Sequence, residues 1–258
     1  MKKISGFFKA IGRYFKNFGV AFAKGDIWVK LSAVIMGAGY FARKQIVNGL
    51  IMLIAEAAFV LMCVGYAAPN LAKFGTLGTV KFEQVFDPLT MQTTTNNYDN
   101  SFQILLNSVV ALFIILIFVL FYIHNIKTVY KLQQMKENGE HINTFKEDMK
   151  ALFNEKFHIT LLTLPTIGVV IMNILPILIL IAVAFTNYDQ QHLPPNSLFT
   201  WVGFKNFASL FSNSMTVTFG YSFRKVLGWT LVWAVMATFT TFIGGILLAK
   251  AINSKTTK

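Results

Sequence analysis

Four long apolar runs constrain this chain more than any other feature. The longest, from Ile159 to Phe185, is 27 residues without a charge. A helix needs ~20 residues to cross roughly 30 Å of hydrocarbon. The other runs read Ile46 to Ala68, Ile104 to Ile123 and Val226 to Ala249. Open strands are excluded, because their backbone groups would stay unpaired in lipid. Composition agrees: 55% of residues are hydrophobic and 13% charged, against about 45–50% and about 25% in soluble domains. The expected fold class is all-α: a polytopic helical membrane protein with four transmembrane helices plus an N-terminal amphipathic interfacial helix.

Charge sets the expected orientation. The net charge is +12. In a soluble protein this would suggest nucleic acid, but here it reads as basic residues on the cytoplasmic flanks of the spans, with no nucleic-acid partner. Residues 1–45 hold nine Lys and Arg, 69–103 two, 124–158 six, 186–225 three and 250–258 three. Rich and poor segments alternate, so both termini should be cytoplasmic. The expected order is a cytoplasmic segment 1–45, span 46–68, outside loop 69–103 and span 104–123. A cytoplasmic loop 124–158, span 159–185, an outside aromatic loop 186–225, span 226–249 and a cytoplasmic tail 250–258 follow. The first 25 residues lack the uninterrupted apolar core of a cleavable signal peptide.

The segments between the spans carry their own patterns. Over 4–23, Phe7, Ile11, Phe15, Phe18 and Phe22 share one helical face, while Lys2, Lys9, Arg13 and Lys16 lie opposite. That is the pattern of a helix lying in the anionic interface of the lipid bilayer, or docked on a partner protein. Thr144 and Glu147 are spaced as a capping box, with Phe145, Met149, Leu152 and Phe153 on one face of the helix they open. Residues 90–101 are small and polar and read as a flexible loop. Residues 186–225 are aromatic-rich, with Tyr188, Phe199, Trp201, Phe204, Phe207 and Phe211. So many rings suit an interfacial belt or a protein-binding face.

Few residues could carry chemistry. Glu56 is the one ionisable residue inside the four spans. It is a functional candidate by position, while the plainer reading is a protonated or hydrogen-bonded glutamate facing a neighbouring helix. Asn173 lies between Pro165 and Pro176, where freed carbonyls need donors. On the fourth span Ala237, Thr241, Gly245 and Ala249 repeat every four residues. A small-residue face lets another helix approach closely, so these four are candidate helix-packing residues. There is no phosphate-binding Gly-x-x-x-x-Gly-Lys loop and no His-Glu-x-x-His, and the four histidines are scattered. One cysteine, Cys63, builds no disulfide framework or thiolate metal site. No catalytic residue, metal site or cofactor is expected, and the chain does not read as an enzyme.

A family resemblance enters at 184–211. Ala-Phe-Thr-Asn-Tyr-Asp (184–189), Leu-Pro-Pro (193–195), Phe-Thr-Trp-Val-Gly-Phe-Lys-Asn-Phe (199–207) and Leu-Phe (210–211) resemble the outside segment of sugar ABC-importer permeases. Trp-Thr-Leu-Val-Trp-Ala (229–234) and Leu-Leu-Ala-Lys-Ala-Ile-Asn (247–253) resemble the first helix of the transmembrane core that follows. Residues 25–39 and 73–79 resemble the N-terminal part of such proteins. The likeness is to the maltose and maltodextrin type, the MalF-like subunit with a short outside loop.

The resemblance implies a bacterial plasma-membrane subunit that forms part of a sugar translocation pathway. Its implied partners are a second homologous permease, a cytoplasmic ATPase dimer and an extracytoplasmic sugar-binding protein. Tyr188, Trp201, Phe204 and Phe207 would sit near the docking face for that binding protein. Family members carry a Glu-Ala-Ala loop that docks on the ATPase several helices further on. Glu56-Ala57-Ala58 spells those letters in mid-membrane, with Met62 where the motif has glycine, and is a chance match. The resemblance therefore implies an N-terminal portion only, cut short before the ATPase-coupling loop, with most of the sugar site beyond Lys258. The alternative is a four-span scaffold or assembly protein without transport activity. A third reading, a proton-coupled carrier, would centre on Glu56.

Overall fold

The computed structural model of the chain describes residues 2–89, 91–211 and 217–253. Among the expectations above, Thr90, the tail 254–258 and the side chains of Lys2, Phe7, Ile11 and Phe211 lie outside the described residues. Contacts divide the chain into two units, Met1–Trp201 and Val202–Lys258.

The first unit is organised on one helix, α6 (Ser101–Glu137). It opens where the Asn100 side chain accepts the Gln103 N–H, and at 1.5 Å per residue it is roughly 55 Å long. The helix outruns its apolar stretch because the pattern changes there without stopping. Ile123, Ile126, Val129 and Leu132 recur every three residues and are buried, so an amphipathic helix continues the span. It ends at Gly139, whose φ of +70° suits glycine, and the Glu140 N–H closes back on the Met135 carbonyl.

Other elements pack on α6 at its two ends. α1 (Lys2–Lys24) and α2 (Ile27–Leu31) lie toward the Glu137 end, with α3 (Ala38–Phe41) beyond them. α4 (Ile46–Met62) runs through a π-helical turn, Cys63–Ala67, into α5 (Ala68–Phe74), which packs on α6. Pro69 therefore does not end this helix. A proline removes one backbone bond and crowds the carbonyl four residues back, and the wider turn just upstream lies where that room is needed. The same device recurs in the third span, where α8 (Phe157–Val169) passes through a π-helical turn, Val170–Ile174, into α9 (Leu175–Ala184) just before Pro176. Asn173 sits in that turn with its side chain exposed.

The segment between α5 and α6 is not wholly irregular. β1 (Gln84–Asp87) and β2 (Gln92–Thr95) pair antiparallel, since Thr93, Thr94 and Thr95 are β-branched and suit a pleated strand. Between α6 and α8, α7 (Phe145–Phe153) starts at a complete capping box of Thr144 and Glu147. The second unit holds α10 (Lys205–Phe211) and α11 (Val217–Ile252). Among the described residues, four helical stretches are long and apolar enough to cross a membrane: Ile46–Phe74, Ser101–Glu137, Phe157–Ala184 and Gly220–Ile252.

Candidate functional site

Two constructed regions stand at opposite ends of α6. At the Ser101 end, Asp99 precedes the helix and is 6% exposed. Its Oδ1 accepts from Lys73 Nζ at 2.7 Å. Its Oδ2 accepts the backbone N–H groups of Thr79 and Val80 at 2.9 and 3.1 Å. The Lys73 hydrogen bond, with the two backbone donors, holds the Asp99 carboxyl well below the usual range, at about 2, although burial opposes this. Gly78, at φ +104°, makes the turn that aims those donors, and a Cβ there would meet Asp99 Cβ at 2.7 Å.

The aromatic loop closes onto this junction. Phe199 is fully buried with Leu77, Ile104, Leu105 and Val109, and its N–H donates to Ser101 Oγ at 3.2 Å. Trp201 is half-buried against Phe74, and its indole N–H donates to the Phe74 carbonyl at 2.7 Å. Thr186 bridges to Trp201, and the Asn187 N–H donates to the Thr200 carbonyl at 3.1 Å. Tyr188 stands on Phe199, ring centroids 5.2 Å apart, and stays 42% exposed. A single platform thus joins the ends of three spans, with some rings inside it and Tyr188 on its surface.

At the other end, residues 27–45 form a wedge beside α4 and α6. Asp26 caps α2 by accepting the Val29 N–H, and it pairs with Arg43, whose Nη1 donates to the Gly39 carbonyl. The turn between α2 and α3 reaches into the apolar stretch of the first span. The Met36 N–H donates to Glu56 Oε2 at 3.0 Å, the Tyr122 hydroxyl donates to the Ala33 carbonyl at 2.6 Å, and Ser32 Oγ accepts the Gly39 N–H at 2.7 Å. Non-helical backbone is tolerated at such depth only where protein satisfies it. Glu56 is one of the groups that does so, by accepting from the turn at Met36. Tyr40, 4% exposed, has its hydroxyl pushed up to about 12 by burial, with the charge of Asp148 adding to it.

α1 is fixed on this end rather than lying free of the chain. Ala21 is buried and Phe18 packs against the same core. The Tyr14 hydroxyl donates to the Leu120 carbonyl, and Lys127 Nζ lies 3.7 Å from the Tyr14 ring centroid. Phe15 and Phe22 remain 50% and 44% exposed. Within the described part of the expected aromatic face, Phe18 therefore meets the core on α6, while Phe15 and Phe22 stay open.

The remaining expected residues fall in the second unit. Phe204 and Phe207 lie within one turn, ring centroids 6.0 Å apart. Ala237, Thr241, Gly245 and Ala249 run along one face of α11, with Ala237 half-buried and the other three exposed. Thr241 Oγ1 donates to the Ala237 carbonyl at 2.7 Å, and a Cβ on Gly245 would meet open space. Sequence reasoning did not anticipate Asp99 or the wedge. Asp99 had a local signal, an acid directly before an N-capping asparagine. The wedge has none, because its contacts are long-range.

Among the described residues, no cluster of three or more His, Cys, Asp or Glu side chains could hold a metal ion. Four apolar helices among the described residues, two of them built around π-helical turns, together with the platform and the wedge define a multi-pass helical membrane protein. Its relatives narrow that class. The chain is 35% identical over 224 residues, 86% of its length, to the maltodextrin transport system permease protein MdxF of Bacillus subtilis. It is 33% identical over the same share to the maltodextrin transport system permease protein MalC of Streptococcus pneumoniae. It is 29% identical over 226 residues, 87% of its length, to the galactooligosaccharides transport system permease protein GanP of Bacillus subtilis. The chain covers 47% of the first two and 50% of the third, so it spans about half the length of these relatives. The maltose and maltodextrin resemblance thus holds over most of the chain, and the chain is a partial-length relative of carbohydrate transport permeases. No protein-family profile matches it, and no solved structure matches it.

Proposed function

We propose that this chain is part of the membrane permease of a bacterial maltodextrin-like ABC importer and contributes to the sugar translocation pathway. The observation that carries the reading is the 35% identity to a maltodextrin permease across 86% of the chain. In this reading the Asp99 platform faces outward, both termini are cytoplasmic, and ATP hydrolysis resides on a separate dimeric ATPase. A second, homologous permease packs beside this one, and the face of Ala237, Thr241, Gly245 and Ala249 is a helix-packing seam. An extracytoplasmic sugar-binding protein docks over Tyr188, Trp201, Phe204 and Phe207. Trp201 then serves mainly by holding the platform, and Tyr188 offers its exposed ring. ATP-driven alternating access is the bistable step such an assembly performs.

The test is uptake of labelled maltotriose in cells with the gene disrupted and then restored. Loss of maltotriose uptake, with glucose uptake intact and recovery on restoration, is the expected result. Unchanged uptake in the disrupted strain would instead support a four-span scaffold without transport activity.

A further inference from the structure

Between α4, α6 and α7 the first unit holds a cavity of roughly 580 Å³. It lies where α6 leaves its apolar stretch. Met52 and Phe121 line it on the apolar side, and His124, Asn125, Thr128 and Lys131 follow along α6. Asp148 and Leu152 of α7, and Lys156 just before α8, close it. Two lining residues carry buried acceptors without a partner, Gln45 Oε1 and Asn125 Oδ1. These residues are 9% and 1% exposed. Turning the amides over would not help them. Gln45 Nε2 donates to the Asn143 carbonyl at 2.8 Å, and Asn125 Nδ2 reaches the Met36 carbonyl at 3.5 Å.

Buried acceptors are rarely left unmatched in folded proteins. These two call for a ligand or water that donates hydrogen bonds. Lys131 and Lys156 are exposed at the rim and call for an anion. The lining holds one acid, Asp148, against these two lysines, so the cations are in excess. Hydroxyl donors joined to an anionic phosphate, at the boundary of a membrane, are the chemistry of a glycerophosphate group. We propose that this cavity binds such a group. The phosphate lies on Lys131 and Lys156, and hydroxyls turn toward Gln45 and Asn125. Its source is the headgroup of an anionic phospholipid, whose acyl chains would run along the apolar side at Met52 and Phe121, or a free glycerol phosphate.

The experiment measures thermal unfolding of the full chain in detergent with added phosphatidylglycerol, phosphatidylethanolamine, phosphatidylcholine or glycerol 3-phosphate. Phosphatidylglycerol should raise the midpoint by several degrees and the two zwitterionic lipids should not. A shift with glycerol 3-phosphate alone would support the site and assign it to the soluble source. Lys131→Ala with Lys156→Ala should abolish the shift, while Lys146→Ala with Lys150→Ala, outside the lining, should keep it. No shift with any additive, equal shifts with all three lipids, or a shift retained by the first double variant would overturn the proposal. If that variant does not purify, native mass spectrometry of the unaltered chain from mixed phosphatidylglycerol and phosphatidylcholine micelles reads the same preference. Equal retention of the two lipids would also overturn it.

Discussion

Asp99 holds a charge where water barely reaches, and it does so because three donors converge on its two oxygens. Charge-assisted hydrogen bonds of this kind are worth about 1.5–3 kcal/mol each. Asp99→Asn keeps an acceptor but loses the charge, so it should cost about 1–3 kcal/mol and lower the thermal midpoint in detergent by several degrees. A midpoint unchanged from the parent would remove Asp99 from the platform argument. The pH dependence has a definite sign. The carboxyl is held at about 2 when folded, against 3.8 for a free aspartate. Its stabilisation is therefore complete above about pH 4 and is lost as pH falls through about 2. Glu56 gives a contrasting expectation. Glutamine can still accept the Met36 N–H, so Glu56→Gln should leave both folding and transport close to normal. Glu56→Leu should destabilise by about 1–3 kcal/mol, because the buried Met36 N–H is then unpaired. If Glu56→Gln abolished uptake at normal protein level, the proton-carrier reading would replace this one.

The wedge at 27–45 depends on close backbone approach to the first span, and that makes Gly37 unequal to Gly65. A Cβ on Gly37 would overlap the Gly49 carbonyl oxygen and press on the Phe41 ring. A Cβ on Gly65, in the π-helical turn, would meet nothing within 4 Å. Gly37→Ala should therefore cost about 1–3 kcal/mol through overpacking, whereas Gly65→Ala should be nearly neutral. Thermal midpoints of the two variants, compared with the parent, decide it, and equal effects would mean the wedge is not tightly seated. On α11 the small face of Ala237, Thr241, Gly245 and Ala249 bears on contact between helices. If Gly245 lies in a packing seam, Gly245→Leu should weaken recovery of an assembled complex far more than Ile246→Leu. Equal recovery would leave the four-residue repeat without a packing role.

At the scale of the whole molecule, what could be read in advance follows from the range of the forces. The spans were legible because lipid imposes one length and one polarity on every crossing helix. The capping box of Thr144 and Glu147 was legible because its partners are three residues apart. The continuation of α6 could have been found from Ile123, Ile126, Val129 and Leu132, whose three-residue spacing carries a helix beyond its apolar run. The roles of the rings in 186–201 were not legible. Phe199 is core and Tyr188 is surface, and the difference comes from Ser101 and Leu77, far away in sequence. The seating of the wedge on Glu56 was hidden for the same reason.

Orientation is the property on which the proposed function rests most directly at this scale, because a binding protein and an ATPase must meet opposite faces. The proposed orientation has 69–103 outside, because that segment holds two basic residues against nine in 1–45. Thr94 lies in β2, within that segment, and is exposed, and Cys63 is the one native thiol. In a Cys63→Ala background, Thr94→Cys should react with a membrane-impermeant maleimide on intact cells, and Lys146→Cys should react only after the cells are opened. The helix count between the two positions makes the pair informative. Only α6 crosses between residues 95 and 144, so the two labels must fall on opposite sides if it spans the membrane. Labelling of both on intact cells would deny that crossing. A reversed pattern would keep the fold and invert the molecule, which would turn the Asp99 platform away from any extracytoplasmic partner.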